Sequence, residues 1–224
     1  MTRYLSSSVS PHAVRHVVFD WNGTLIDDCA LAVATVNSLR AERAMIHITQ
    51  EQYRNAFRFP ISEFYRSIGF DLDEKTFSAL MVRYLALFNA NVDDCPLHVG
   101  ARETVARLRA AGVGAHILSA SHQDTLSRSL RAKGLTDAFG EVAGLSHQLA
   151  SDKRKIGLEL ASKLRADPSS ILYVGDTDHD YEVARALGWK FLFVDHGHQA
   201  AVHPAPHCES TITMLEQIFS HLDT

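Results

Sequence analysis

Cysteine is scarce: Cys29, Cys95 and Cys208 are the three in 224 residues, widely spaced and without a CxxC pair. That pattern excludes a disulfide framework and a zinc site built from thiolates. No run of about 18 apolar residues occurs, so nothing in the chain reads as a membrane span. Positive charge is not in excess, because 22 Lys and Arg against 26 Asp and Glu leave a net charge of −4. Nucleic acid and anionic membranes therefore have no electrostatic footing here. The opening Met1 to His12 is polar and Ser-rich, with no apolar core, which argues against a signal peptide. Internal repeats and low-complexity tracts are missing too, and a reduced cytoplasmic protein is the expectation.

What is present is ordinary globular composition, 46% hydrophobic and 21% charged, with length enough for a sizeable core. Thirteen histidines mean that positive charge accumulates below about pH 6.5. The organising stretch is residues 16 to 28, His-Val-Val-Phe-Asp-Trp-Asn-Gly-Thr-Leu-Ile-Asp-Asp. Its apolar run Val17-Val18-Phe19 predicts a buried strand that delivers Asp20 to its end, and Gly23 permits the tight turn that follows. A carboxylate at the mouth of a strand can act as nucleophile, as metal ligand, or as both.

From Cys29 to about Asn91 the pattern is helical throughout. Helices are expected over 29–43, over 49–57 from a Thr49–Gln52 capping box, over 60–69 from Pro60 to Gly69, and over 73–91 from Asp73. In the last of these, Phe77, Leu80, Met81, Tyr84, Leu85 and Phe88 recur at helical spacing and read as core. Beyond Leu97 strands and helices alternate. Strands are expected at 113–118, near Val142, at 171–174 and at 190–194. Helices are expected at 101–111, 122–133, 153–164, 178–187 and 212–222. Alternation of this kind argues for a parallel sheet covered on both faces. The fold class is therefore α/β, a doubly wound (Rossmann-like) core of residues 1–29 and 95–224 with an α-helical insertion at 30–94.

In open α/β sheets ligands bind beyond the carboxyl ends of the strands. Three strands here end in Asp20, Ser119 and Asp176, and Asp180 follows one helical turn after Asp176. Carboxylates converging at one place need a cation between them, and oxygen-only ligands point to a hard ion such as Mg²⁺. Asp178 is read as no more than a helix cap. His196, His198, His203 and His207 lack a helical i, i+4 pair and a Cys partner, which argues against a soft-metal site. Arg58, in a loop between two of the inserted helices, is placed to meet a substrate carboxylate or phosphate.

The hexapeptide Asp20-Trp21-Asn22-Gly23-Thr24-Leu25 resembles the first motif of the haloacid dehalogenase (HAD) superfamily, Asp-x-Asp-Gly-Thr-Leu, with Asn22 where the second Asp is usual. Ile117-Leu118-Ser119, a Lys before Ile156-Gly157-Leu158, and Gly175-Asp176-Thr177-Asp178-His179-Asp180 resemble its other motifs. The chain closely resembles the phosphoglycolate-phosphatase-like branch, whose helical cap follows the first motif. The resemblance implies Asp20 as nucleophile and Lys153, with Gly157 four residues on, as the site lysine in preference to Lys155. It implies Ser119, Ala120, Gly23 and Thr24 as phosphate-binding groups, and Mg²⁺ on Asp20, the Asn22 carbonyl, Asp176 and Asp180.

The implied activity is hydrolysis of a small phosphorylated metabolite through an aspartyl-phosphate. The alternative is a non-hydrolytic or vestigially active phospho-ligand-binding protein on the same scaffold. Asn22 is the departure that matters: a backbone carbonyl survives the replacement, but an amide cannot titrate near neutrality. Loss of a general acid typically costs ~10²–10⁴ in rate. Either the leaving group needs little protonation, as in an acyl or aryl phosphate, or another group such as His122 or His179 supplies the proton.

Overall fold

The computed structural model describes residues 13–146, 153–200 and 210–222. Six strands, β1 (His16–Phe19), β2 (Gly114–His122), β3 (Val142–Leu145), β4 (Ile171–Gly175), β5 (Lys190–Val194) and β6 (Thr211–Ile212), form one sheet. Their order is β3-β2-β1-β4-β5-β6, with every pairing parallel. Helices α5 (Ala101–Ala110), α6 (Gln123–Ala132), α7 (Lys153–Leu164) and α8 (Asp178–Leu187) make the crossovers. The central strands are apolar on both faces because helices cover both. In β1, Val17 and Phe19 join one buried cluster while Val18 between them joins the other, as the two-residue period of a strand requires.

Register brings the chemistry to one edge. Phe19 lies opposite Ile117 on β2 and Val174 on β4, so Asp20 and Asp176 emerge at the carboxyl ends of β1 and β4 beside Ser119, which lies within β2. The sheet order reverses direction at β1 and β4, which is where an open α/β sheet leaves a crevice.

No strand interrupts the stretch between β1 and α5. It holds α1 (Cys29–Ala41), α2 (Gln50–Ala56), α3 (Ile61–Ser67), α4 (Glu74–Asn89) and a 3-10 turn at Val92–Asp94. The capping box at Thr49 and Gln52 forms with both of its bonds, and Asp73 makes a second with Thr76. Buried Arg40 ties this segment together by donating to the carbonyls of Ile46 and Ile68. No described helix is long and apolar enough to cross a membrane.

Two expectations at the strand level need correction. β2 does not stop at Leu118 but continues through Ser119 to His122, its register against β3 shifting between Leu118 and His122. The expected final helix over 212–222 is instead the edge strand β6 followed by a 3-10 helix at Leu215–His221. Ile212 is held by pairing with Val194, and the Gln217 side chain accepts from the N–H groups of Thr213 and Met214 to tighten the turn.

Candidate active site

Four elements deliver the charged groups. Asp20 leaves β1, Asp176 leaves β4, Asp180 sits in the first turn of α8, and Lys153 opens α7. All four are buried. The Lys153 ammonium lies 2.9 Å from Asp20 Oδ1 and 2.6 Å from Asp180 Oδ1, bridging the two carboxylates. Lys155, the other candidate lysine, is exposed. Asp180 Oδ1 also accepts from the Tyr173 hydroxyl at 2.9 Å, and its Oδ2 accepts from the N–H and hydroxyl of Thr177. The same carboxylate thus closes the N-terminal capping box of α8 and holds the lysine. Asp178 turns away to meet Gln199.

Asp176 is secured by Thr24 Oγ1 at 2.8 Å and by the His198 backbone N–H at 2.7 Å. Gly23 and Gly197 lie against its carboxylate so closely that a Cβ at either would collide with it. Gly23 is required a second time by its φ of +73°.

Among the described residues, the one group of three or more potential metal ligands is Asp20, Asp176 and Asp180, with ligand atoms within 4.8 Å of one another. Burial pushes the Asp20 carboxyl up to about 7; Lys153 opposes this, while Asp180 and Asp176 reinforce it. Burial also raises Asp176, against the partial relief of His198. Asp180 goes the other way: burial would raise it, but the charge and hydrogen bond of Lys153, with the Thr177 hydrogen bond and His179, together lower it. The Lys153 ammonium serves two of the three carboxylates, and Asp20 Oδ1 has no hydrogen-bond partner of good geometry. Such a donor set fits a hard divalent cation.

Beside this cluster runs a second network that local sequence did not signal. The Asn22 amide donates to Asp28 Oδ2 at 2.5 Å, and its oxygen accepts from Ser121 Oγ at 2.6 Å. Asp28 is fully buried at the start of α1 but does not cap it; its Oδ1 accepts from Gly23 N and meets His198 Nε2 at 3.2 Å. Burial alone would lower the His198 pKa, but Asp28 raises it well above the ordinary value and keeps an imidazolium there. Its other nitrogen donates to the Tyr53 hydroxyl, 3.1 Å away on α2. Both His122 and His179, the sequence candidates for the missing acid at Asn22, line the cavity that opens onto Asp20 and Lys153. His122 caps α6 and bonds Ser146, and His179 stacks on Phe59 with its pKa lowered by burial and by Lys153.

A cavity of about 390 Å³ opens onto Asp20, Asn22, Ser119, Ala120, Lys153 and Asp180. Three expected substrate-binding residues do not line it. Gly23 spends its N–H on Asp28 and Ile26, Thr24 is buried against Asp176, and Arg58 is exposed and donates to the Ala56 carbonyl. The helical stripe expected to be core is core at Leu80 and Phe88, with Phe77, Met81 and Tyr84 packed against it, and Phe77, Met81, Tyr84, Leu85 and Phe88 also line the cavity. His196 stacks on His98 at 3.8 Å and donates to Thr24 O; His203 and His207 lie outside the described residues.

Comparison with known proteins agrees with this architecture. Phosphoglycolate phosphatase of Synechococcus elongatus is 25% identical over 77% of this chain and 79% of its own length. Tyrosine-protein kinase PtkA of Mycobacterium bovis is 30% identical over 83% of this chain and 63% of its own. The crystal structure of a predicted phosphatase from Clostridium acetobutylicum superposes with a TM-score of 0.80 at 17% identity, covering 95% of this chain and 100% of that one. The family model for haloacid dehalogenase-like hydrolases matches residues 17–194, a span that takes in every strand from β1 to β5 and all four charged groups of the site. The chain belongs to the haloacid dehalogenase-like hydrolase family.

Proposed function

We propose that the protein is a phosphatase that uses Asp20 to hydrolyse a small phosphorylated metabolite. The observation that carries this reading is a buried carboxylate at the mouth of β1, paired with Lys153 and within 4.8 Å of two further carboxylates. A relative sharing most of its length with this chain is named a phosphatase, which supports the same reaction class. Residues 30–94 are read as a cap domain over a core of 1–29 and 95–224, in a cytoplasmic protein.

In the proposed reaction an Asp20 oxygen attacks phosphorus, the bond to the organic oxygen breaks, and an aspartyl-phosphate forms. Water then attacks phosphorus, releasing inorganic phosphate and regenerating the Asp20 carboxylate. Asp20, Asp176 and the Asn22 carbonyl would hold Mg²⁺, with Asp180 adding charge while it holds Lys153. When bound, that ion supplies Lewis-acid neutralisation of the phosphoryl oxygens. Lys153 and Ser119 share the phosphoryl charge, and this positioning supplies most of the catalysis. Asn22 orients through its amide and moves no proton.

Phosphate release from acyl, aryl and alkyl phosphates, with Mg²⁺ or EDTA, tests the reading. Wild type should release phosphate only with the metal, and Asp20→Asn should release none. No release from any ester, with Mg²⁺ still bound, would favour a phospho-ligand-binding protein on the same scaffold.

A further inference from the structure

The walls of the cavity above Asp20 differ sharply from its floor. The floor is polar, with Asp20, Asn22, Ser119 and Lys153. The walls, built from the ends of α2 and α3 and one face of α4, present Phe57, Phe64, Phe77, Met81, Tyr84 and Phe88. The rings are in mutual contact, Phe57 with Phe64 at 5.3 Å and Tyr84 stacked on Phe88 at 5.5 Å. Ring arrays of this kind present area at low entropy cost and favour a flat apolar guest.

Charge on the walls runs against an anionic guest. Among the described residues that line the cavity there is no arginine, and Lys153 is the sole lysine. That lysine already bridges Asp20 and Asp180, and the His198 imidazolium is paired with Asp28. The nearby guanidiniums are turned elsewhere, Arg54 to Asp195 and Arg58 to the Ala56 carbonyl. The segments 147–152 and 201–209 contain neither Lys nor Arg. A second carboxylate or phosphate on the substrate would therefore meet no free lysine or arginine, only the His122 and His179 rings, the latter with its pKa lowered by burial, and would lie near the Asp28 carboxylate, which is costly.

Size points the same way. An apolar cavity on the order of 150 Å³ accepts benzene, so about 390 Å³ accommodates a phosphoryl group together with a ring system larger than benzene. A two-carbon organic group would leave most of the aromatic wall unfilled. Asn22 adds an independent argument, since a phenolic oxygen leaves without needing the proton an amide cannot give.

Building on the phosphatase reading, we propose that the substrate is a phosphate monoester whose organic group is bulky, uncharged and apolar, and preferentially aromatic. That group sits among Phe57, Phe64, Met81, Tyr84 and Phe88 with its phosphoryl end on Asp20. The specificity differs from that of a phosphoglycolate phosphatase, whatever the likeness in sequence.

The test measures kcat/KM of the wild-type protein with Mg²⁺ on 2-naphthyl phosphate, phenyl phosphate and 2-phosphoglycolate. Naphthol and phenol leave with similar ease, so that pair isolates wall contact from leaving-group chemistry. The naphthyl ester should exceed the phenyl ester by about tenfold or more, and phosphoglycolate by about a hundredfold. Met81→Lys, which sets a cation on the wall, should narrow the gap to phosphoglycolate; Met81→Leu should not.

A parallel calorimetric measurement compares binding of naphthylmethylphosphonate and phosphonoacetate, neither of which can be hydrolysed. If phosphoglycolate is turned over as well as the naphthyl ester or better, the inference is overturned and the phosphatase reading stands. If no ester is hydrolysed but the naphthyl phosphonate binds about tenfold tighter, the phosphatase reading fails and the apolar preference stands. Equal binding with no hydrolysis overturns both.

Discussion

At residue 22 the side chain must donate to Asp28 and accept from Ser121 at once, and an amide does both where a carboxylate could only accept. Asn22 is thus matched to Asp28 as well as missing an acid. Asn22→Asp would set two carboxyl groups against each other, and like charge at that range raises the pKa of one of them. The new acid should be protonated near neutrality and able to donate. Hydrolysis of alkyl phosphates, whose leaving oxygens need a proton, should rise by ~10² or more, and that of aryl phosphates should change little. An equal effect on both ester classes would show that proton delivery is not what Asn22 lacks. Asp20, Asp176, Asp180 and Lys153 were legible because each stands at the end of a recognisable element. Asp28 and His198 were not. Their pairing is made by tertiary structure alone, and neither neighbourhood carries a local signal for it.

Among the elements, those with strong punctuation were legible to within a residue or two. The bounds of α8 follow from the Thr177–Asp180 capping box and Gly188 in the left-handed region, and β5 from a run of apolar residues. β6, with two residues, has no pattern to read, and the sheet extends β2 past the point where its hydrophobicity ends. The short helix α2 carries a tertiary tie in Arg54. That side chain reaches the loop after β5 through Asp195 at 2.8 Å and the Gly197 carbonyl at 2.8 Å, while Ala200 N donates back to the Arg54 carbonyl. Arg54→Ala should increase amide hydrogen exchange across Gln50–Ala56 while leaving exchange in β1 and β4 unchanged. Uniform protection in the variant would show that α2 stands without this tie. By contrast, Thr49→Ala should cost about 1 kcal/mol or less of stability at the same helix, as an exposed cap does.

On the scale of the molecule, tertiary surroundings act in opposite ways on particular histidines among the described residues: His198 is held charged, whereas His98 and His116 are held neutral. His116 and His98 are both pushed down to about 4, by burial first and then by the neighbouring His16 and His196 respectively. In the unfolded chain these rings bind protons near pH 6.5, so between pH 6.5 and 4 the unfolded state holds more protons than the folded one. Stability present above pH 6.5 is therefore lost as pH falls through that window. The raised carboxyls of Asp20 and Asp176 act in the opposite sense over this range, so the rings are read by difference: between pH 7 and pH 5 the urea midpoint of the wild type should fall relative to that of His98→Phe, which keeps an aromatic ring against His196. The same pH response in both proteins would contradict a buried neutral His98. The imidazolium of His198 has a mechanical meaning beyond its charge. Its ring grips Tyr53 on α2, and its backbone N–H grips Asp176, so one residue is shared by the helices and the acidic cluster. Any displacement of α2 that carried Tyr53 and its partner His198 along would therefore pull on the same peptide that anchors Asp176, so the position of this helix and the shape of the acidic cluster are mechanically linked.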